Sequence, residues 1–343
     1  MADSEGECCL TRRQAVAAAA AAAVSVSVTR PASFRTRGVV LVPEDLSLAD
    51  WPERAARAGL TTIALHSSPS HITRFVGSDA GHGFLARCQA LRLRVEYEMH
   101  AMAELLPRSL FASQPDLFRM NEGGERTPDA NLCIHAQRAV EIATENALKL
   151  GETLHPTTGR YFLWGDDGGS WCRCPRCRGY SDSDQALIVE NHLVGALRRK
   201  WPGARLAHIA YATTLQAPTT VRSAPGVFLE FAPIERSYEH AIDDSAELRN
   251  GTQLQHLYEN LQWFGAANAQ VLEYWLDVSR FSGWKRPAAP IPWRPEVFAR
   301  DVEAYRRAGV QHATTFAVWV GRDYLRDHGE PPLAAYGAEL RGR

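Results

Sequence analysis

From residue 38 onward the sequence alternates. Short runs rich in β-branched and aromatic residues give way to longer segments with helical periodicity, and the cycle repeats eight times. The apolar runs occupy 38–46, 61–68, 93–102, 160–167, 205–214, 226–236, 270–280 and 311–320. Helices are expected at 50–58, near 80–91, around 136–150, at 182–200, around 252–266, at about 295–308 and at 331–341. Strands separated by helices make a parallel sheet. Eight of them in a chain of 343 residues predict a closed (β/α)8 TIM barrel. The open doubly wound alternative usually carries a glycine-rich phosphate turn after its first strand, and none follows residues 39–45. No internal repeat or linker divides residues 36–343, which read as one barrel domain.

A barrel of this kind places its chemistry where strands end, on the loops of its C-terminal face. Polar residues collect there. Asp166 and Asp167 close the fourth run, Glu230 lies in the sixth, and Glu273 and Asp277 lie on the seventh. Period-two geometry puts Glu96, Glu98 and His100 on one face, Trp164 and Asp166 on another, and Glu273, Trp275 and Asp277 on a third. If these faces point inward, carboxylates from strands four, six and seven converge. Convergent acids suit glycoside hydrolysis, which needs one protonated carboxyl at the leaving oxygen and a second as nucleophile or base. Glu273, Asp166, Asp167 and Glu230 are the catalytic candidates. His100, Trp164, Tyr211, Trp275, Asp277 and Trp319 are candidates for holding the sugar. The competing reading is that buried strand acids pair with Arg or His and only hold the barrel together.

The loop after the fourth run contains Cys172, Cys174 and Cys177 at CxCxxC spacing, and Cys133 completes a set of four. Four thiolates fit a structural zinc site, and two disulfides, or one plus free thiols, are also allowed in an oxidising compartment. Catalysis itself calls for no cofactor. A catalytic zinc would instead need a His or carboxylate ligand set with one open position.

The first 35 residues read as a targeting segment. Arg12 and Arg13 precede an alanine-rich, weakly apolar stretch, the pattern of a twin-arginine signal. Export by the twin-arginine machinery to the periplasm or the exterior is the expectation. No other stretch approaches a membrane span. A net charge of −1 with no basic block argues against nucleic acid as the main partner.

The segments 100–137 (HAMAELLPRSLFASQPDLFRMNEGGERTPDANLCIHAQ) and 164–177 (WGDDGGSWCRCPRC) resemble the family known as domain of unknown function 4838. A histidine-ending strand, a Leu-Pro stretch, an Asn-Leu-Cys and an acid-glycine-CxCxxC stretch follow there in that order. The likeness extends over about 90 to 320. Members form glycoside hydrolase family 163. The resemblance implies a barrel that acts as an endo-β-N-acetylglucosaminidase on complex N-glycans with two carboxyl residues. The eighth strand here ends in Trp319 with no glutamate. The alternatives are a divergent glycosidase with another substrate and a glycan-binding barrel that does not cleave.

Overall fold

A computed structural model describes residues 33–342. The segment read as a signal falls almost wholly outside them. Eight parallel strands close into a barrel in chain order: β1 (Thr36–Leu41), β2 (Thr62–His66), β3 (Arg94–His100), β4 (Arg160–Trp164), β5 (Arg205–Ala210), β6 (Val227–Phe231), β7 (Gln270–Glu273) and β8 (His312–Phe316). Strand β8 pairs with β1 to complete the ring.

Among the described residues eleven α-helices surround or cap it: α1 (Trp51–Arg57), α2 (Pro69–Val76), α3 (Asp79–Ala90), α4 (Met102–Leu105), α5 (Gln137–Thr153), α6 (Asp182–Lys200), α7 (Leu248–Phe264), α8 (Val278–Phe281), α9 (Pro295–Arg307), α10 (Arg322–His328) and α11 (Leu333–Leu340). Helix α6 shows why the boundaries fall where they do. Ser181 Oγ accepts from Asp184 N at 3.0 Å and starts the helix, while Arg198, Arg199 and Lys200 complement the dipole in its last turn. No helix among the described residues is long and apolar enough to cross a membrane.

The strands are buried on both faces, as a parallel sheet wrapped in helices must be. Their outward residues join the large core beneath the helices, and their inward residues form a second cluster within the bore: Val40, Ala64, Phe162, Trp164, Ala207, Ile209, Phe228, Leu272, Tyr274 and Phe316 among them. The lower bore is polar. Arg160 and Gln270 begin β4 and β7, and the sequence pattern suggests a solvated bottom face for such residues. Both are instead buried. Arg160 Nη1 donates to Gln270 Oε1 at 2.7 Å, and its guanidinium stacks 4.2 Å from the Phe228 ring centre. Glu96, Glu98 and Glu230 point into the same space, all 0% exposed.

Candidate active site

A cleft of about 240 Å³ opens at the C-terminal mouth. Its wall comes from the ends of β2, β3, β4, β7 and β8 and the loops after β4, β5 and β7: His66, His100, Trp164, Asp167, Tyr211, Tyr274, Asp277, Ser279, Trp284 and Phe316, with Ile209 and Leu272 between them.

Trp164 forms the division between the cleft and the polar bore. Its ring lines the cleft, and its indole Nε1 donates downward to Glu230 Oε2 at 2.9 Å. Gln270 Nε2 donates to Glu230 Oε1 at 2.9 Å. Glu230 therefore lies inside the bore as the period-two reading requires, but beneath Trp164 and outside the cleft lining. Burial, with Glu96 nearby, pushes its carboxyl up to about 8.

Glu273 does not face the cleft. Its neighbours Leu272 and Tyr274 point inward, so Glu273 points outward. It meets Arg236 Nη1 at 2.8 Å, Tyr238 Oη at 2.6 Å and the Tyr305 hydroxyl of α9. Arg236 continues to Asp301 at 2.8 Å. Trp275 shares this outward face: its Nε1 donates to Asp301 Oδ2 at 2.9 Å, and its ring packs on Phe298 and Tyr336. The expectation that Glu273 and Trp275 line the mouth is thus corrected. A strand buried on both faces carries no polarity difference to mark which side is the bore. Trp319 is also outside the cleft lining, with Arg286 stacked at 4.7 Å from its ring centre.

The adjacent aspartates after β4 divide. Asp166 turns away from the cleft, where Oδ2 accepts from Arg108 Nη2 and from Asn131 N at 2.5 Å. Asn131 returns the contact, its Oδ1 accepting from Asp166 N at 2.9 Å while its Nδ2 donates to Gly169 O (2.9 Å) and Ser170 O (3.1 Å). Asn131 adopts φ 44°, a region Asn tolerates better than most residues. Gly168 adopts φ 59°, and a Cβ on Gly169 would come within 2.7 Å of Ala130. The Asp-Asp-Gly-Gly sequence is what lets this loop fold back tightly on 130–131. Asp167 is then thrust into the cleft with its side chain 67% exposed. Tyr211 Oη donates to Asp167 Oδ1 at 3.0 Å, and His100 Nε2 lies 3.6 Å from the same oxygen.

Both cleft histidines have fixed tautomers. The ring Nδ1 of His100 is 2.7 Å from Gly165 O, and that of His66 is 2.9 Å from Glu98 O. A carbonyl can only accept, so each Nδ1 donates. Burial, then the neighbouring His100, lowers His66 to about 4. At neutral pH its Nε2 is an acceptor. Asp277 supplies the second cleft carboxyl. It is 4% exposed, and Oδ1 accepts from Ser279 Oγ (2.6 Å) and Arg280 N (3.2 Å), capping α8. Burial raises its pKa from the ordinary aspartate value. Trp284 stands at the rim, 64% exposed with φ 55°.

His100, Trp164, Tyr211, Asp167 and Asp277 are therefore brought together, as the strand ends suggest. Tyr274, Trp284 and Phe316 were not among the sequence candidates. Tyr274 and Phe316 occupy the inward parity of β7 and β8, a signal that needed the inward face to be known. Trp284 sits in a long irregular stretch where no periodicity points to it. The four cysteines also meet: the Sγ atoms of Cys133, Cys172, Cys174 and Cys177 all lie within 4.8 Å of one another, as free thiols.

A family profile matches residues 24–316. The chain belongs to that family, described as Domain of unknown function (DUF4838). No curated protein matches it. Among solved structures, the catalytic domain of a β-amylase from Paenibacillus polymyxa is similar to this DUF4838 chain at 10% identity with a TM-score of 0.51, covering 90% of this chain and 98% of that one. A GH113 β-1,4-mannanase aligns at 10% identity and TM-score 0.49 over 91% and 100% of the two chains. The endo-β-1,4-glucanase Xac0029 from Xanthomonas axonopodis pv. citri aligns at 8% and 0.46 over 89% and 98%. At such identity the likeness to the amylase domain concerns the fold. This DUF4838 protein has a closed (β/α)8 barrel, the fold it shares with the amylase domain.

Proposed function

We propose that the cleft hydrolyses a β-glycosidic bond within an N-acetylglucosamine-containing glycan, and that the protein is exported by the twin-arginine route to act in the periplasm or outside the cell. One observation carries the hydrolase reading: two carboxyl groups in contrasting environments line one aromatic cleft. Asp167 is exposed and held by Tyr211, and Asp277 is buried with a raised pKa. Burial that raises a carboxyl's pKa suits it to donate a proton, and a second, accessible carboxyl in the same cleft can then act as nucleophile or base.

In this assignment Asp277 is the acid. Its Oδ1 already accepts two hydrogen bonds, so its proton resides on Oδ2. That proton passes to the leaving oxygen as the C1–O bond breaks. Asp167 attacks C1 or deprotonates the water that does, and hydrolysis ends with the water's OH on C1. Trp284, exposed at the rim, offers a flat apolar face to the sugar ring. His66 Nε2 offers an acceptor suited to a hydroxyl or an acetamide N–H. The N-acetylglucosamine specificity rests on the sequence resemblance described above.

The test is oligosaccharide release from a panel of complex N-glycans by wild type, Asp167→Asn and Asp277→Asn. Cleavage by wild type, lowered about 10²–10⁴-fold by either change, supports the assignment. Glycan binding without cleavage would favour the second reading, a barrel that binds but does not cut. That reading draws on the cap which Asp277 already forms for α8 and on the withdrawal of Glu230 and Glu273 from the cleft.

A further inference from the structure

We propose that Cys133, Cys172, Cys174 and Cys177 bind one zinc ion, and that this centre staples the loop carrying Asp167 to the segment entering α5.

Three observations converge. The first is spacing between sulfurs. Cys133 Sγ lies 3.9 Å from Cys174 Sγ and 3.7 Å from Cys177 Sγ. A tetrahedral zinc with Zn–S bonds of about 2.3 Å separates its sulfurs by about 3.8 Å. A disulfide would bring two of them to about 2.05 Å. Two disulfides would also sort four cysteines into two pairs, whereas here every sulfur is near the other three.

The second is the surroundings of the sulfurs. Met120 N donates toward Cys172 Sγ at 3.3 Å, and Arg126 Nη1 lies 3.6 Å from the same atom. A peptide N–H and a guanidinium directed at sulfur suit a thiolate, and four thiolates on a divalent ion leave a negative centre for Arg126 to offset. All four cysteines are buried, at 5% exposure or less. Four thiolates fill the tetrahedron, so the site has no open position for a substrate or water. Its role is to hold structure.

The third is where the ligands come from. Cys172, Cys174 and Cys177 lie on the loop between β4 and α6, and a tight turn presents the last two: Cys177 N and Arg178 N both donate to Cys174 O, at 2.9 and 3.0 Å. Cys133 comes from the segment before α5, itself tied by Cys133 N to Leu117 O at 3.0 Å. The ion would join pieces of chain separated by about 40 residues that are otherwise irregular. Asn131 and Asp166 latch the same two pieces a few residues away. The inference stands whether or not the cleft cleaves a glycosidic bond.

The experiment is metal analysis of the purified full chain by mass spectrometry, with mercurial titration of the thiols and peptide mapping after alkylation in denaturant without reductant. We expect about one zinc per chain, its release as four thiols are titrated, and Cys133, Cys172, Cys174 and Cys177 all alkylated. Cys177→Ser should carry less than a tenth of the wild-type zinc, while Cys88→Ser, a buried thiol outside the cluster, should keep it. Should Cys177→Ser fail to fold, the mercurial release from wild type decides. Hydrogen exchange on the stripped protein should rise at least tenfold in 165–181 and 128–135 and stay unchanged in β1 and β8. Disulfide-linked peptides, four free thiols with no metal, or iron in place of zinc would each overturn the assignment.

Discussion

Glu273 and Asp277 are four residues apart, and the two substitutions that neutralise them should behave in opposite ways. Glu273 is fully buried among Arg236, Tyr238 and Tyr305. Glu273→Gln leaves the buried Arg236 with one carboxylate fewer, and breaking such a pair costs about 3–5 kcal/mol. We predict a large drop in the denaturation midpoint, with cleavage per folded molecule within about threefold of wild type. Asp277→Asn keeps a side chain that also caps helices well, so stability should change by less than about 1 kcal/mol. Its cleavage should fall by about 10²–10⁴-fold. Denaturant melts combined with kinetics on active-site-titrated samples separate the cases; equal loss of activity in both variants at unchanged stability would sink the distinction. These residues also mark where sequence reading stopped. Period two correctly groups Glu96, Glu98 and His100 on one face of β3, the inward one, since Val95, Tyr97 and Met99 pack outward. On β7 it groups Glu273 with Trp275 but cannot say which way they point, because every residue from 270 to 276 is buried.

The loop between β4 and α6 is the element on which Asp167 depends. Its latch runs through Asn131, whose side chain holds Asp166 N, Gly169 O and Ser170 O. Asn131→Ala deletes those three hydrogen bonds and places an alanine at φ 44°, where it is disfavoured. Asp167 contacts none of these groups, so any catalytic effect must travel through its placement. A displacement of about 1 Å can cost about 10²-fold in rate. We predict a 10- to 100-fold lower kcat with KM changed less than threefold, and faster hydrogen exchange confined to 165–171 and 130–133. A variant with unchanged exchange but lower kcat would show that the latch is not the cause. At this scale strand starts were legible to within two residues, whereas their ends were set too late. The apolar run of β7 continues past Glu273 through Tyr274, Trp275 and Leu276, since the loop that follows builds the cleft wall and the packing behind it. Helix α2 was not foreseen, although Ser68 and Pro69 mark its start: Ser68 Oγ accepts from His71 N at 3.3 Å.

For the whole molecule, the eightfold alternation was legible because it is repeated along the entire chain, and no single local error can erase it. The character of the bore was not, since whether inward residues are polar depends on which neighbours closure brings together. Three glutamates, Glu96, Glu98 and Glu230, share the bore with Arg160 as their nearest cation, and burial raises all three. Glu230 moves from 4.5 to about 8, and Asp45, also buried, from 3.8 to about 7. Between those limits the folded chain holds protons that the unfolded chain has lost, so stability falls as pH rises through them. His66 and His312 act in the other direction. Burial lowers them from 6.5 to about 4 and about 3, so the unfolded chain binds the extra proton below pH 6.5 and stability rises with pH up to that point. Below 6.5 the two sets oppose each other; from 6.5 to 8 the two histidines no longer contribute, and each raised carboxyl adds a downward slope of about 1.4 kcal/mol per pH unit while it titrates. We therefore predict that Glu230 pulls stability down between pH 6.5 and 8, read as the Tm of wild type minus that of Glu230→Gln, which should shrink over that range. The variant should nonetheless melt lower than wild type at pH 6, because both Glu230 oxygens accept from N–H donors, Trp164 and Gln270, and a glutamine must turn its own NH₂ toward one of them. A difference between wild type and Glu230→Gln that holds steady from pH 6.5 to 8 would mean that Glu230 is already ionised inside the bore at pH 6.5, against the upward push of its burial.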